Sequence, residues 1–341
     1  MGISSFTVQL EGSRKIEGGG RVKGVVTVEA DSEVKVAEVQ IRLVCRTHGK
    51  GNTWTNVVEE SKQDVGAFTP GVPKTFRFDF LAVNGPASYA GHYVNIEWLV
   101  EAELDIAWKV NPKARADFTL VPNLERPYSA GRLASTEAMA RAEGSKELVK
   151  PVGLALGAAA IAACLGFAAW DFTHDPELFN IVIALTIAGA IGIGLFGAAR
   201  RAAVGAVLGD VHALLDPPVI PPGGKGTLHV HMDPRRPLEL NAVRAELKCV
   251  ERVTQGSGSS ESTYTWDVLT EQFKLSGPVE GAPGQHLDFS CPIEIPDNAP
   301  YSFEVTDNVV RWTLVTHVDI PRFPDWKRED DIFVLPPAKR A

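Results

Sequence analysis

Chemistry needs nucleophiles, bases, acids or metal ligands brought within a few ångströms of one another, so the residues able to supply them come first. Only eight of the 341 residues are histidine. His229-Val-His231 has the spacing of a ligand pair, because residues i and i+2 of a strand point to one face. A zinc site wants a third and a fourth ligand, and the neighbouring sequence nominates none, so the pair reads as a solvent-facing polar stripe. His174 sits with Asp171, Asp175 and Glu177, and a charged, wet turn accounts for that cluster. Asp105 and Asp319 recur in Leu-Asp-Ile and Val-Asp-Ile just after a core strand, where a carboxylate capping turn amides explains the symmetry. There is no HExxH, GxSxG, phosphate loop or dinucleotide fingerprint. The expectation is a non-enzyme without metal or cofactor.

The elements that must position these residues alternate with a period of two. Val22–Val28, Glu38–Cys45, Phe76–Phe80 and Ile96–Leu104 place apolar and polar side chains on opposite faces, as half-buried strands do. Turn clusters separate them: EGGG at 17–20, HGKGN at 48–52, PPGGKG at 221–226 and TQGSGSSES at 254–262. Residues 86–122 align without a gap to 300–336, matching Pro86, Ser88, Trp98, Asp105, Ile106, Lys113, Asp117 and Pro122 to Pro300, Ser302, Trp312, Asp319, Ile320, Lys327, Asp331 and Pro336. Further back, Trp54 faces Trp266, and Cys45 faces Cys249. The chain is a duplication. Trp98 and Trp312 are expected as core anchors, and the two matched cysteines as small buried groups.

Between the copies lies a different composition. From Pro151 to Ala199 there is no Lys or Arg, and the only acids are Asp171, Asp175 and Glu177. The runs 151–170 and 178–199 are each about as long as the ~20 residues that cross a bilayer, so a transmembrane hairpin is expected over 151–199. Gly153 and Gly157, with Gly194 in the second run, would let its helices approach closely. Arg132, Arg141, Lys146 and Lys150 precede the first run, and Arg200 and Arg201 follow the second. That bias predicts an integral membrane protein with two spans, both termini and both flanks being cytoplasmic. The start of the chain has no basic region followed by an apolar run, so no secretory signal is expected.

Charge and cysteine content narrow the function further. With 34 Lys+Arg against 42 Asp+Glu the net charge is −8, a poor basis for binding nucleic acid. Four cysteines are too few for a disulfide scaffold.

The run Phe289-Ser-Cys-Pro292-Ile-Glu-Ile-Pro296-Asp-Asn-Ala-Pro300-Tyr-Ser302-Phe, followed by Val310-Arg-Trp312-Thr-Leu and Asp319-Ile-Pro321, resembles the arrestin clan. Similar patterns occur in arrestins, α-arrestins and bacterial sporulation-control proteins. The resemblance implies an all-β fold of two tandem immunoglobulin-like (arrestin-type) sandwiches, and a non-catalytic adaptor. The expected division is a first sandwich at 1–124, a juxtamembrane helix or linker at 125–150, the hairpin, a linker at 200–209 and a second sandwich at 210–341. The expected partners are the lipid bilayer and a cytoplasmic protein. The alternative is a lipid or small-ligand binder using the cleft between sandwiches or their membrane-facing strands.

Overall fold

The computed structural model describes residues 2–106, 110–129, 189, 204–205, 207–323 and 325–337. The first sandwich is built from β1 (Ile3–Leu10), β2 (Lys15–Glu17), β3 (Arg21–Ala30), β4 (Val34–Gly49), β5 (Trp54–Phe68), β6 (Lys74–Leu81), β7 (Tyr89–Ala90), β8 (Val94–Leu104) and β9 (Lys113–Val121). The second comprises β10 (Val211–Asp216), β11 (Val219–Ile220), β12 (Lys225–Met232), β13 (Leu238–Leu240), β14 (Ala242–Gln255), β15 (Ser262–Ser276), β16 (Val279–Gly281), β17 (Leu287–Glu294), β18 (Phe303–Val305), β19 (Asn308–Asp319) and β20 (Trp326–Val334).

Topology repeats as faithfully as the sequence. A small sheet β1-β3-β6 corresponds to β10-β12-β17, and a large one β2-β9-β8-β4-β5 to β11-β20-β19-β14-β15, with β7 and β18 as matching additions. Even the exceptional parallel pairings, β2 with β9 and β11 with β20, recur. The short antiparallel pair β13 and β16, which brackets β14 and β15 in the chain, has no counterpart among the described residues of the first copy.

The period-two pattern decides which faces meet. In the first copy Val22, Val26 and Val28 of β3 and Phe76, Phe78 and Phe80 of β6 are buried against Ile41, Leu43, Trp98, Val100 and Leu120 of the large sheet. Their neighbours in sequence face water, so one strand serves both the core and the surface. Trp98 and Trp312 are 0% and 1% exposed. Burial of such a ring leaves its indole N–H in need of a partner. Each finds the same one: Trp98 Nε1 donates to the Pro86 carbonyl at 2.8 Å, and Trp312 Nε1 to that of Pro300 at 3.0 Å.

The repeated serine has an equally specific task. The Ser88 amide donates to the Leu120 carbonyl while the Leu120 amide donates to Ser88 Oγ, both at 2.9 Å. Ser302 and Val334 exchange the same two bonds at 2.8 and 2.9 Å. The motif Pro-x-Ser…Trp thus ties the loop before β8, or before β19, to the last strand and to the core ring.

One expectation is revised here. The expected localisation, integral in a membrane through two spans with both termini cytoplasmic, is overturned: no helix among the described residues is long and apolar enough to cross a membrane. The described chain buries its apolar residues at every second strand position, between paired sheets. The hairpin itself, 151–170 and 178–199, lies outside the described residues except for Gly189, as do most of 125–150 and residues 200–203. Residues 125–129 pack back onto the first sandwich, where buried Asn84 donates through Nδ2 to the carbonyls of Asn123, Arg126 and Pro127 at 2.9–3.1 Å. The Ala87 amide donates to Tyr128 Oη at 2.9 Å.

Candidate functional site at the seam between the sandwiches

The most elaborate polar arrangement joins one sandwich to the other. Glu251 lies on β14 opposite Trp266 of β15, in the place that Thr47 occupies opposite Trp54 in the first copy. Thr47 is buried, and its Oγ1 accepts the Trp54 amide at 3.1 Å inside its own sandwich. Glu251 is as deeply buried, at 1% exposure, but its longer side chain reaches out of its domain. It grips the turn between β7 and β8.

Four donors converge on this carboxylate. Oε1 accepts from Tyr89 Oη at 2.6 Å and from the His92 amide at 3.1 Å; Oε2 accepts from the amides of Tyr93 at 2.5 Å and Val94 at 2.9 Å. A buried carboxylate is tolerated only when its lone pairs are so occupied. Burial, and then the bond to Glu251, pushes the Tyr89 phenol up from its ordinary value, so its hydroxyl stays a donor. Gly91 has no room for a side chain, because a Cβ there would collide with Glu251 Oε1 and the Tyr89 ring.

The first sandwich returns the grip through the turn between β4 and β5. The Asn52 amide donates to the Thr254 carbonyl at 2.8 Å, and Asn52 exchanges side-chain bonds with Gly256. Asn52 Nδ2 also reaches Asp307 Oδ2 at 2.9 Å, while Asn308 Nδ2 donates to the Asn52 carbonyl at 2.8 Å. Asp307 stands in the β18–β19 turn, the counterpart of the turn held by Glu251, and Asn308 opens β19. Asp307 adopts a left-handed conformation with φ 65°, which aspartate accepts more readily than most residues.

Aromatic rings flank the polar centre. His92 stacks on Trp266 with centroids 3.9 Å apart, Tyr93 meets Tyr264 edge-on at 6.4 Å, and Lys50 Nζ lies 4.0 Å from the Tyr264 centroid. Tyr128 and Tyr301 touch across the same seam at 5.5 Å. What the arrangement does chemically is hold: each sandwich offers the same pair of turns to the other, and their polar groups are spent on fixing the relative position.

The residues singled out by sequence fall elsewhere. Arg132, Arg141, Lys146, Lys150, Arg200 and Arg201, together with Gly153, Gly157 and Gly194, lie outside the described residues. Trp98 and Trp312 are in the two cores. Asp105 uses its backbone, donating to the Glu38 carbonyl and accepting from the Ala37 amide, both at 3.0 Å. The Asp319 carboxylate accepts from Asn241 Nδ2 at 2.9 Å, a side-chain partner where a turn amide was expected. His229 and His231 do share the outer face of β12; His231 meets Asp233 and Asp288, whereas His229 stands opposite Leu214 and Ser290.

Sequence reasoning missed the seam altogether. Glu251 reads as an ordinary polar position of an alternating strand, and Asn52 as a turn residue. The one available signal was the departure from the repeat, a glutamate where the matched position holds threonine.

No family model matches this chain, and neither does any curated protein. Among solved structures it is similar to a crystal structure of Spo0M, a sporulation control protein from Bacillus subtilis, at 21% sequence identity and a TM-score of 0.30, over 37% of this chain and 48% of that one. The match thus spans about half the length of that protein.

Proposed function

We propose that this chain is a non-catalytic scaffold that holds two sandwiches in one fixed relation and binds protein segments along their strand edges. The observation that carries the reading is the seam, where a buried carboxylate and two asparagines are used to lock domain geometry. An adaptor gains from such a lock because two binding edges at a set distance select partners that fit both.

The edges differ. β5 and β15 each end their large sheet and each run for 15 residues. On β5, Lys74 Nζ covers the carbonyls of Val65 and Ala67 at 2.8 Å, as a protected edge should. Among the described residues no side chain donates to a carbonyl of β15, which makes it the more open template for an added strand.

The test is a photo-cross-linker on β15 of the full-length chain in its own cell, compared with variants Thr270→Pro and Glu271→Pro. Adjacent amides of a strand face opposite ways, so one variant strikes the inner ladder and the other the outer edge. The expected result is a discrete protein partner that is lost with the outer-edge proline while the fold persists. Cross-links equally abundant from both folded variants, or no cross-link at all, reject the reading.

A further inference from the structure

We propose that the second sandwich carries a divalent transition-metal site, with Zn²⁺ as its ion, formed by His231, Asp233 and His286 at one end of the small sheet. The proposal does not depend on the scaffold reading.

Strand register builds the cluster. In the β12–β17 ladder His231 stands opposite Asp288, and Met232 opposite Leu287. Asp233 therefore leaves β12 at the same end at which His286 enters β17. One ligand atom from each of His231, Asp233 and His286 lies within 4.8 Å of the others. His231 Nε2 is 3.3 Å from Asp233 Oδ1, and His286 Nδ1 meets that same oxygen. The two imidazoles stack with centroids 5.6 Å apart.

The geometry suits a small ion. With metal–ligand bonds near 2.0–2.1 Å, ligands of a tetrahedral zinc ion stand about 3.4 Å apart. His231 and Asp233 are already at that separation. His286 has to draw back from Asp233, and its side chain is 72% exposed, which leaves it the freedom to do so. Two imidazoles and one carboxylate suit zinc, whereas calcium and magnesium ask for oxygen shells. Three protein ligands leave a fourth position for water or a group from another molecule.

A second, independent feature is the carboxylate behind His231. Asp288 Oδ1 lies 2.6 Å from His231 Nδ1, which fixes the ring and turns Nε2 toward Asp233. A ligating histidine held through its other nitrogen by a carboxylate is the usual outer arrangement of zinc sites. Asp233 is itself held, its amide donating to the Asp210 carbonyl at 3.3 Å.

Nothing in the fold demands these residues. In the first sandwich, where Val28 pairs with Lys74 as Val230 pairs with Phe289, the corresponding places hold Glu29, Asp31, Gly71 and Pro73. The same sheet supports itself there without a histidine.

The full-length chain, stripped with chelator, is titrated with Zn²⁺ by calorimetry and with Co²⁺ by visible absorption. One ion per chain is expected, with the strong d–d bands of four-coordinate cobalt. His231→Ala and His286→Ala are each expected to weaken binding more than about 100-fold, and Asp288→Asn by about 10–100-fold. His229→Ala, on the same exposed face, leaves affinity unchanged, and far-UV circular dichroism verifies that each variant is folded. Absence of stoichiometric binding overturns the proposal. So does binding that survives His231→Ala, or that falls equally with His229→Ala.

Discussion

The two sandwiches are copies in strand order, in parallel pairings and in the bonds of their Pro-x-Ser…Trp motif, yet they have diverged on their polar positions. Both copies set ion pairs on their large sheets, Arg311 with Asp331 at 2.6 Å in the second and a wider network in the first. Arg42 bridges Glu101 and Glu103 at 2.8 and 2.6 Å, and Lys113 joins Glu103 at 3.1 Å. Burial pushes the Glu103 carboxyl up, but bonds from Asn111, Lys113 and Arg42 outweigh it and hold it below its ordinary value. The second copy places one carboxylate in the seam, at Glu251, and gathers histidines at the end of its small sheet. A duplicated fold keeps what its core requires. The positions released from that requirement are where new roles arise.

Three experiments break or sharpen this comparison. The largest effect belongs to the shared part: Trp98→Ala and Trp312→Ala each leave a large void and an unpaired Pro carbonyl, and are expected to cost about 3–5 kcal/mol apiece. Chemical denaturation of both variants should give nearly equal losses. A difference beyond about 2 kcal/mol would show that the copies do not use the motif alike.

Next comes the diverged pair. Glu251→Ala orphans three backbone amides and a tyrosine hydroxyl across the seam, and is expected to cost about 3 kcal/mol and to separate the calorimetric transition into two. Thr47→Ala, at the matched position, loses one bond within its own sandwich and is expected to cost about 1 kcal/mol with a single transition retained. Equal effects, or an unsplit transition in Glu251→Ala, would remove the seam from its assigned role.

The smallest effect, absent at neutral pH, concerns the matched thiols. Burial pushes Cys45 up from about 9 to about 12, and raises Cys249 for the same reason. Both are expected to resist thiol reagents at pH 8 in the folded chain. Because the neutral thiol is favoured in the folded state, its contribution to stability is complete below pH ~9 and declines as the pH rises toward 12. Reaction of Cys45 at pH 8 at the rate of an unfolded peptide would contradict this.

Much of the fold was legible in the residues. Alternation along β3, β4, β6 and β8 announced half-buried strands, and the matched prolines, serines and tryptophans announced two copies. Both signals are local, carried by side-chain period and by order along the chain. The apolar stretch 151–199 was read by the same local logic, from its length, its lack of Lys and Arg and its basic flanks, and the localisation drawn from it did not stand. The histidine pair was read as a polar stripe on one face of a strand. Asp233, two residues past His231, repeats the same spacing, whereas His286 is brought beside them only by pairing with a distant strand.

By itself, then, the sequence determined the half-buried strands of both flanks, their duplication and the two buried tryptophans, because these follow from the period of a strand and the solvent preference of each side chain. Only the tertiary structure decided what Glu251, Asn52, Asp233 and His286 do. Their partners lie on other strands or in the other sandwich, and a polar side chain has no reach or burial of its own until register and domain contact have placed its donors and acceptors around it.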